Sequence, residues 1–185
     1  MTEQKIKQFN QFVERTIRED GTSKIAVQGN KMTTQLISAF PGVGKTHLYN
    51  YLTQTNPNQT AIKDTDSSQF NKKDFPNNYI KSIQQDMSNY KLILVSSHIQ
   101  VRQQLQAQQI PYYLVYPHKD LKQAYLERYK QRNSPTGFIQ LLKENWDDWI
   151  CSCEKDTYAQ HKVLLAPDEY LSTHESNFFS AFYQD

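Results

Sequence analysis

The chain has 185 residues, 21 Lys and Arg against 19 Asp and Glu, a net charge of +2, and 12% aromatic residues. That length suits one domain with a substantial core, and the aromatic content excludes a disordered chain. The near-neutral charge excludes a whole-surface case for nucleic acid or membrane, and no apolar run approaches the roughly 18 residues of a membrane span.

In chain order, residues 3–19 read as a helix, with Ile6, Phe9, Phe12, Val13 and Ile17 spaced at three and four and Asp20-Gly21 as the stop. Lys24 to Val27 reads as a short strand. Residues 1–30 form a helical appendage packed on the core, and 31–185 form the main domain. The opening Met1-Thr2-Glu3-Gln4-Lys5 lacks the apolar stretch of a signal peptide, so a cytoplasmic protein is expected.

Leu36, Ile37 and Phe40 have strand character, and His47 to Leu52 can continue as a helix. Between them stands Ala39-Phe40-Pro41-Gly42-Val43-Gly44-Lys45-Thr46. A glycine-rich turn from strand to helix aims successive backbone N–H groups and the positive end of the helix dipole at one point, which suits a polyphosphate. The nucleotide-binding set is Pro41, Gly42, Val43, Gly44, Lys45, Thr46 and His47. Lys45 reaches the β- and γ-phosphates, and the Thr46 hydroxyl ligates Mg²⁺. Ala39 stands where the usual pattern has its first glycine. An ordinary strand-to-helix turn would use Gly42 or Gly44 but has no need of Lys45 and Thr46.

Further strands are expected at 60–62, Leu92 to Val95, Tyr112 to Tyr116 and Val163 to Leu165. Helices are expected at Tyr79 to Met87, Val101 to Ala107, Leu121 to Arg132 and Gly137 to Ile150. This alternation, with the loop after the first core strand, predicts an α/β fold with a parallel sheet covered on both faces. Cys151 and Cys153, one residue apart, read as reduced structural thiols, and the histidines show no metal-ligand spacing.

In such a sheet, functional residues gather at the carboxyl ends of the strands. The second strand runs into Asp64 and Asp66. Both project to one side of an extended backbone, where they can hold metal-bound water and accept a proton from an attacking hydroxyl, with Asp66 the better base. The alternative is a turn that caps the next helix. The third strand ends in Ser96-Ser97-His98, without the acid that a motor or switch ATPase places there, which favours small-molecule phosphoryl transfer. Arg102, one helical turn after His98, reads as a bidentate acceptor ligand or a surface salt-bridge partner. Arg128 and Arg132, four apart, can stabilise the transferring charge from a closing helix, or form a solvated face. Phe70, Phe75 and Tyr79 are an acceptor wall or core.

These residues resemble a family. Phe40 to Thr46 resembles the phosphate loop of nucleoside-monophosphate kinases, and Asp64-x-Asp66 resembles the acidic motif of shikimate and gluconate kinases and the acceptor-side aspartate of polynucleotide kinases. Leu121 to Arg132 is similar to the arginine-bearing lid of that P-loop kinase superfamily, here about residues 119–136, and Val163 to Leu171 to its last strand and adenine-lining loop. The Asp66-Ser67-Ser68 and Val95-Ser96-Ser97-His98 runs are similar to small phage-type, deoxynucleotide-kinase-like proteins. The resemblance covers roughly residues 33–172. It implies a five-stranded sheet of order 2-3-1-4-5, ATP as donor and a requirement for Mg²⁺, while naming no acceptor.

The expected function is an ATP-dependent phosphotransferase acting on a nucleotide or nucleotide-sized acceptor. Lys45, Asp66, Arg128 and Arg132 are catalytic; Asp64, Asp66, Phe70, His98 and Arg102 bind the acceptor; Thr46 and Asp64 serve the metal. One alternative is an ATPase or nucleotide-gated module using Asp168 and Glu169 after the last strand. Another is a kinase for nucleic-acid ends or modified bases, which the charge does not favour.

Overall fold

Three residues on each side of Asp20-Gly21 pair as antiparallel strands, β1 (Arg15–Ile17) and β2 (Ser23–Ile25), in register Arg15 to Ile25 and Ile17 to Ser23. The computed structural model describes residues 15–17, 23–25, 34–55 and 61–174. Arg15–Ile17 corrects the helix expected over 3–19, whose remaining residues lie outside the described ones. β-branched Thr16 and Ile17 suit a pleated ladder better than a helical turn, and a partner strand is available in Ser23–Ile25. The expected strand at Lys24 to Val27 is met by β2 in part. The chain divides into two compact units, 1–33 and 34–185.

The second unit is built on a five-stranded parallel sheet: β3 (Gln35–Ala39), β4 (Ile62–Asp64), β5 (Leu92–Ser96), β6 (Tyr113–Pro117) and β7 (His161–Leu165), in spatial order β4-β5-β3-β6-β7. This is the expected order 2-3-1-4-5. β3 and β5 sit at the centre, and the side chains from Leu36 to Ala39 and Leu92 to Ser96 are buried, as continuous apolar strands covered on both faces must be. β7, at one edge, alternates buried Val163 and Leu165 with exposed Leu164.

Helices α1 (Lys45–Thr55), α2 (Asn77–Asp86), α3 (Ile99–Ala107), α4 (Lys122–Gln131) and α5 (Thr136–Glu154) connect the strands. α3 packs against α2 and α5, and α1 lies against β4 and the final 3-10 turn, Leu171–His174. With right-handed crossovers, a strand order that reverses at β3 places α1 on the face opposite α2, α3 and α5.

Trp146 is fully buried, its ring 5.3 Å from Phe40 and its indole N–H donating to the Lys119 carbonyl at 2.8 Å. That settles Trp146 as core. Cys151 and Cys153 are both free, and burial pushes the Cys153 thiol up to about 11, so it stays protonated. Among the described residues, no helix is long and apolar enough to cross a membrane.

Candidate functional site

The phosphate loop begins where β3 stops. Ala39 is the last residue of that strand, paired with Ser96 on β5 and Val115 on β6. It therefore holds extended backbone, where a glycine has no advantage. The positions that do require glycine have it: Gly42 and Gly44 adopt φ of +83° and +100°, which residues with a Cβ rarely tolerate. The loop closes through Val43 N–H to the Phe40 carbonyl (3.4 Å) and Leu48 N–H to the Gly44 carbonyl (2.9 Å).

Lys45, the first residue of α1, folds back over this loop, its Nζ donating to the carbonyls of Ala39 (2.9 Å) and Phe40 (3.4 Å). The side chain is only half-buried by surface, but its ammonium is enclosed by the loop. Burial lowers its pKa to about 8, opposed by the charges of Asp64 and Asp66 and assisted by that of Arg132. The phosphate loop, both aspartates and the lid arginine Arg132 therefore share one electrostatic environment.

Thr46 donates from Oγ1 to Asp64 Oδ2 at 2.9 Å. Asp64 ends β4, so the predicted metal pair is brought together by the sheet and the first turn of α1. Among the described residues no cluster of three or more His, Cys, Asp or Glu is placed to hold an ion. An ion here would rest on the hard oxygens of Thr46 and Asp64 plus those of a bound polyphosphate, and this donor set fits Mg²⁺, which keeps several waters.

Asp66 is exposed and caps the 3-10 turn Ser67–Gln69. Its Oδ1 accepts from the Ser68 N–H and its Oδ2 from the Ser68 hydroxyl, both at 2.8 Å. The capping geometry weighed as an alternative is thus present. A carboxylate has about four acceptor sites, so two remain free.

Behind the acid loop, the buried Tyr79 hydroxyl donates to the Thr65 carbonyl (2.8 Å) and accepts from the Ser96 N–H (2.9 Å), joining the ends of β4 and β5. Burial drives this phenol well above its ordinary pKa, so it remains a donor. Tyr79→Phe should lower stability by about 1–3 kcal/mol, because it strands a buried carbonyl and a buried N–H. Denaturant titration checks this, and unchanged stability would refute the pin.

Phe70 packs edge-on against Tyr79 at 4.9 Å. Phe75 lies 5.7 Å from both Tyr79 and His98, and His98 lies 6.3 Å from Trp149. His98 is exposed overall, but its ring is flanked by Phe75 and Trp149. Burial, and then the Lys45 charge, hold its pKa below the usual value, so it is neutral at pH 7.

Arg102 departs from expectation as an acceptor ligand. It is 3% exposed and spends its donors inward: Nε on the Ser97 carbonyl (3.0 Å), Nη1 on the Ser152 carbonyl (3.1 Å) and on Asp156, and Nη2 on the Ser152 hydroxyl (2.7 Å). Asp156 also accepts from the Tyr112 hydroxyl at 2.7 Å. Val101 and Leu105 turn that face of α3 into the core, and Arg102 is carried in beside them. It ties α3 to the end of α5.

α4 lies over the phosphate loop. A Cβ on Gly42 would meet Tyr129 Cε2 at 3.1 Å and Tyr125 Cδ1 at 3.2 Å. The Arg128 guanidinium carbon lies 4.7 Å from the centre of the Tyr125 ring and 4.5 Å from that of Tyr170, and Arg132 lies 5.5 Å from Tyr129. His47 is exposed in the first turn of α1, one residue beyond Thr46.

No protein-family model matches the chain, and no curated protein matches it in sequence. Among solved structures it is similar to polyphosphate kinase 2 from Arthrobacter aurescens TC1, with 11% identity over 71% of this chain and 61% of that chain and a TM-score of 0.46. The chain thus spans about three fifths of that enzyme's length.

Tyr125 and Tyr129 fall in the expected lid and Tyr170 in the loop likened to an adenine-lining one, but their contacts with Gly42, Gly44 and the lid arginines are not among the expectations. The run Tyr125-Leu126-Glu127-Arg128-Tyr129-Lys130-Gln131-Arg132 repeats Tyr-x-x-Arg, and residues three apart share a helix face, so two of the three contacts carried a sequence signal. Asp168 and Glu169 serve their own turn. Asp168 is exposed with φ of +63°, and Glu169 accepts from the Ala166 N–H (2.8 Å) and pairs with His174 (3.2 Å).

Proposed function

We propose that the chain is an ATP-dependent phosphotransferase whose acceptor is a nucleotide or a molecule of that size. The observation that carries this reading is the Thr46–Asp64 hydrogen bond at the mouth of the phosphate loop, beside a lysine held on the loop's own carbonyls. That lysine can turn from those carbonyls to phosphate oxygens when they arrive. The third strand's end supports a kinase rather than a motor, because Ser96, Ser97 and His98 offer no acid there.

Bound at this site, Mg²⁺–ATP would supply the γ-phosphoryl group and leave as ADP. Loop amides and Lys45 would hold the β- and γ-phosphate oxygens, while Thr46 and Asp64 would hold the metal and its water. Asp66, kept in one rotamer by Ser68, orients the acceptor hydroxyl and takes its proton as oxygen attacks phosphorus. Phe70 and His98 line the acceptor side. Arg128 and Arg132 neutralise charge on the transferring group, and the tyrosines of α4 exclude water.

The test incubates the protein with labelled ATP, Mg²⁺ and a panel of nucleosides, nucleotides, sugars and oligonucleotides. One nucleotide-sized acceptor should stimulate ADP release. Asp64→Asn should raise the Mg²⁺ requirement about tenfold or more, as loss of a metal-orienting group does, and Asp168→Ala should leave it alone. The reading is wrong if no acceptor is phosphorylated, or if Asp168→Ala abolishes Mg–ATP hydrolysis while Asp64→Asn spares it.

A further inference from the structure

The geometry points to Tyr170 as a positioning residue for Arg128, one wall of a two-ring clamp that holds the guanidinium beside the phosphate loop with an N–H edge free for an anionic oxygen. This rests on the phosphotransferase reading above and adds a residue from outside the lid.

The two walls come from different parts of the chain. Tyr125 is fully buried, three residues before Arg128 on α4, and its ring packs 5.2 Å from Trp146 and 6.4 Å from Phe40. It is fixed by the core. Tyr170 is 39% exposed and sits in the turn after β7. That turn is stitched to the loop by the Leu171 N–H donating to the Val43 carbonyl at 2.8 Å. The Tyr170 ring also approaches Gly44, with Cδ1 3.6 Å from where a Cβ would stand. Tyr170 therefore touches the phosphate loop and the lid arginine at once.

With its central carbon over the faces of both rings, at 4.7 and 4.5 Å from their centres, the Arg128 guanidinium is attracted by them while its N–H groups still need acceptors of their own. Arg128 Nη1 is buried and makes no hydrogen bond of proper geometry; the nearby Tyr125 hydroxyl is likewise buried without such a bond. A buried, unpaired guanidinium nitrogen next to a phosphate loop suits a phosphate oxygen of the donor. Without the Tyr170 ring, the arginine loses one wall and samples other rotamers.

Binding of inorganic tripolyphosphate to the full chain, measured by calorimetry, tests this without a base or an acceptor. Tyr170→Ala should weaken binding by about three- to thirty-fold, the range of a partly desolvated cation–π contact. Tyr170→Phe, which keeps the ring, should restore it. The double variant Tyr170→Ala/Arg128→Ala should bind no more weakly than Arg128→Ala alone, because the tyrosine acts through the arginine. The inference is overturned if the two losses add, if Phe fails to restore binding, or if Tyr170→Ala binds like the parent. Should the parent itself fail to bind tripolyphosphate, the phosphotransferase reading falls as well.

Discussion

Replacing Lys45 by Met should reduce phosphotransfer by about 10²- to 10³-fold, the effect of removing one preorganised charge-stabilising donor, without loss of thermal stability. The two halves of this expectation have one cause. The Lys45 ammonium is enclosed by its loop, and enclosure lowers its pKa to about 8, so the charge costs the folded state energy that an apolar thioether does not. In the window between about 8 and the ordinary lysine value, the unfolded chain binds more protons than the folded one, so stability rises with pH there. Phosphate oxygens reverse the balance by placing opposite charge against Nζ. Binding at pH 8 should therefore take up about half a proton, and almost none at pH 6. Calorimetry in buffers of different ionisation enthalpy measures this uptake. Full activity in Lys45→Met, or no uptake at pH 8, would remove Lys45 from the site.

Gly42→Ala should destabilise the fold by about 2–5 kcal/mol and weaken nucleotide binding with it. Part of that is conformational, since a φ of +83° costs an alanine roughly 1–2 kcal/mol. The rest is steric. The new methyl would stand 3.1–3.2 Å from atoms of Tyr129 and Tyr125, and Tyr125 is fully buried and cannot swing away. Overpacking of this kind costs about 1–3 kcal/mol. Gly137→Ala is the internal control, because that glycine lies in the first turn of α5 with nothing within 4 Å of the added Cβ. It should be neutral or stabilising by up to about 1 kcal/mol. Chemical denaturation of the two variants decides the matter, and equal midpoints would contradict the close seating of α4 on the loop.

The sheet was legible because Leu92 to Val95 is an unbroken apolar run and a glycine-rich turn closes its neighbour β3, where buried Ser38 interrupts the apolar pattern. The acids were legible because a parallel sheet gathers its strand ends along one edge. Thr46 and Asp64 meet for that reason. Helical phase was harder to read. The three-and-four spacing from Ile6 to Ile17 reads as a helix, yet its last three residues, Arg15–Ile17, pair as strand with Ser23–Ile25. One helical turn after His98, Arg102 reads as an acceptor ligand or a surface salt-bridge partner, but the roll of α3 is set by Val101 and Leu105 and buries it. Its partners Ser152 and Asp156 lie far along the chain, where no local spacing reveals them. Tyr170 lies in the stretch that resembles an adenine-lining loop, but its contact with Arg128 is non-local in the same way, whereas the repeated Tyr-x-x-Arg is in plain view.

The pin formed by Tyr79 distributes stiffness unevenly around the cleft. On the acid side, two hydrogen bonds of fixed length through one hydroxyl bind the end of β4 to the end of β5, so Asp64 and the backbone leading to His98 move as one body. On the opposite side, α4 is seated by packing: Tyr125 and Tyr129 stand over Gly42, and Arg128 reaches the Tyr170 ring beyond the loop. One wall is pinned by directional bonds and the other by the fit of its rings. A change at Tyr79 would therefore loosen both strand ends together, whereas a change in α4 would be felt first as a misfit against Gly42.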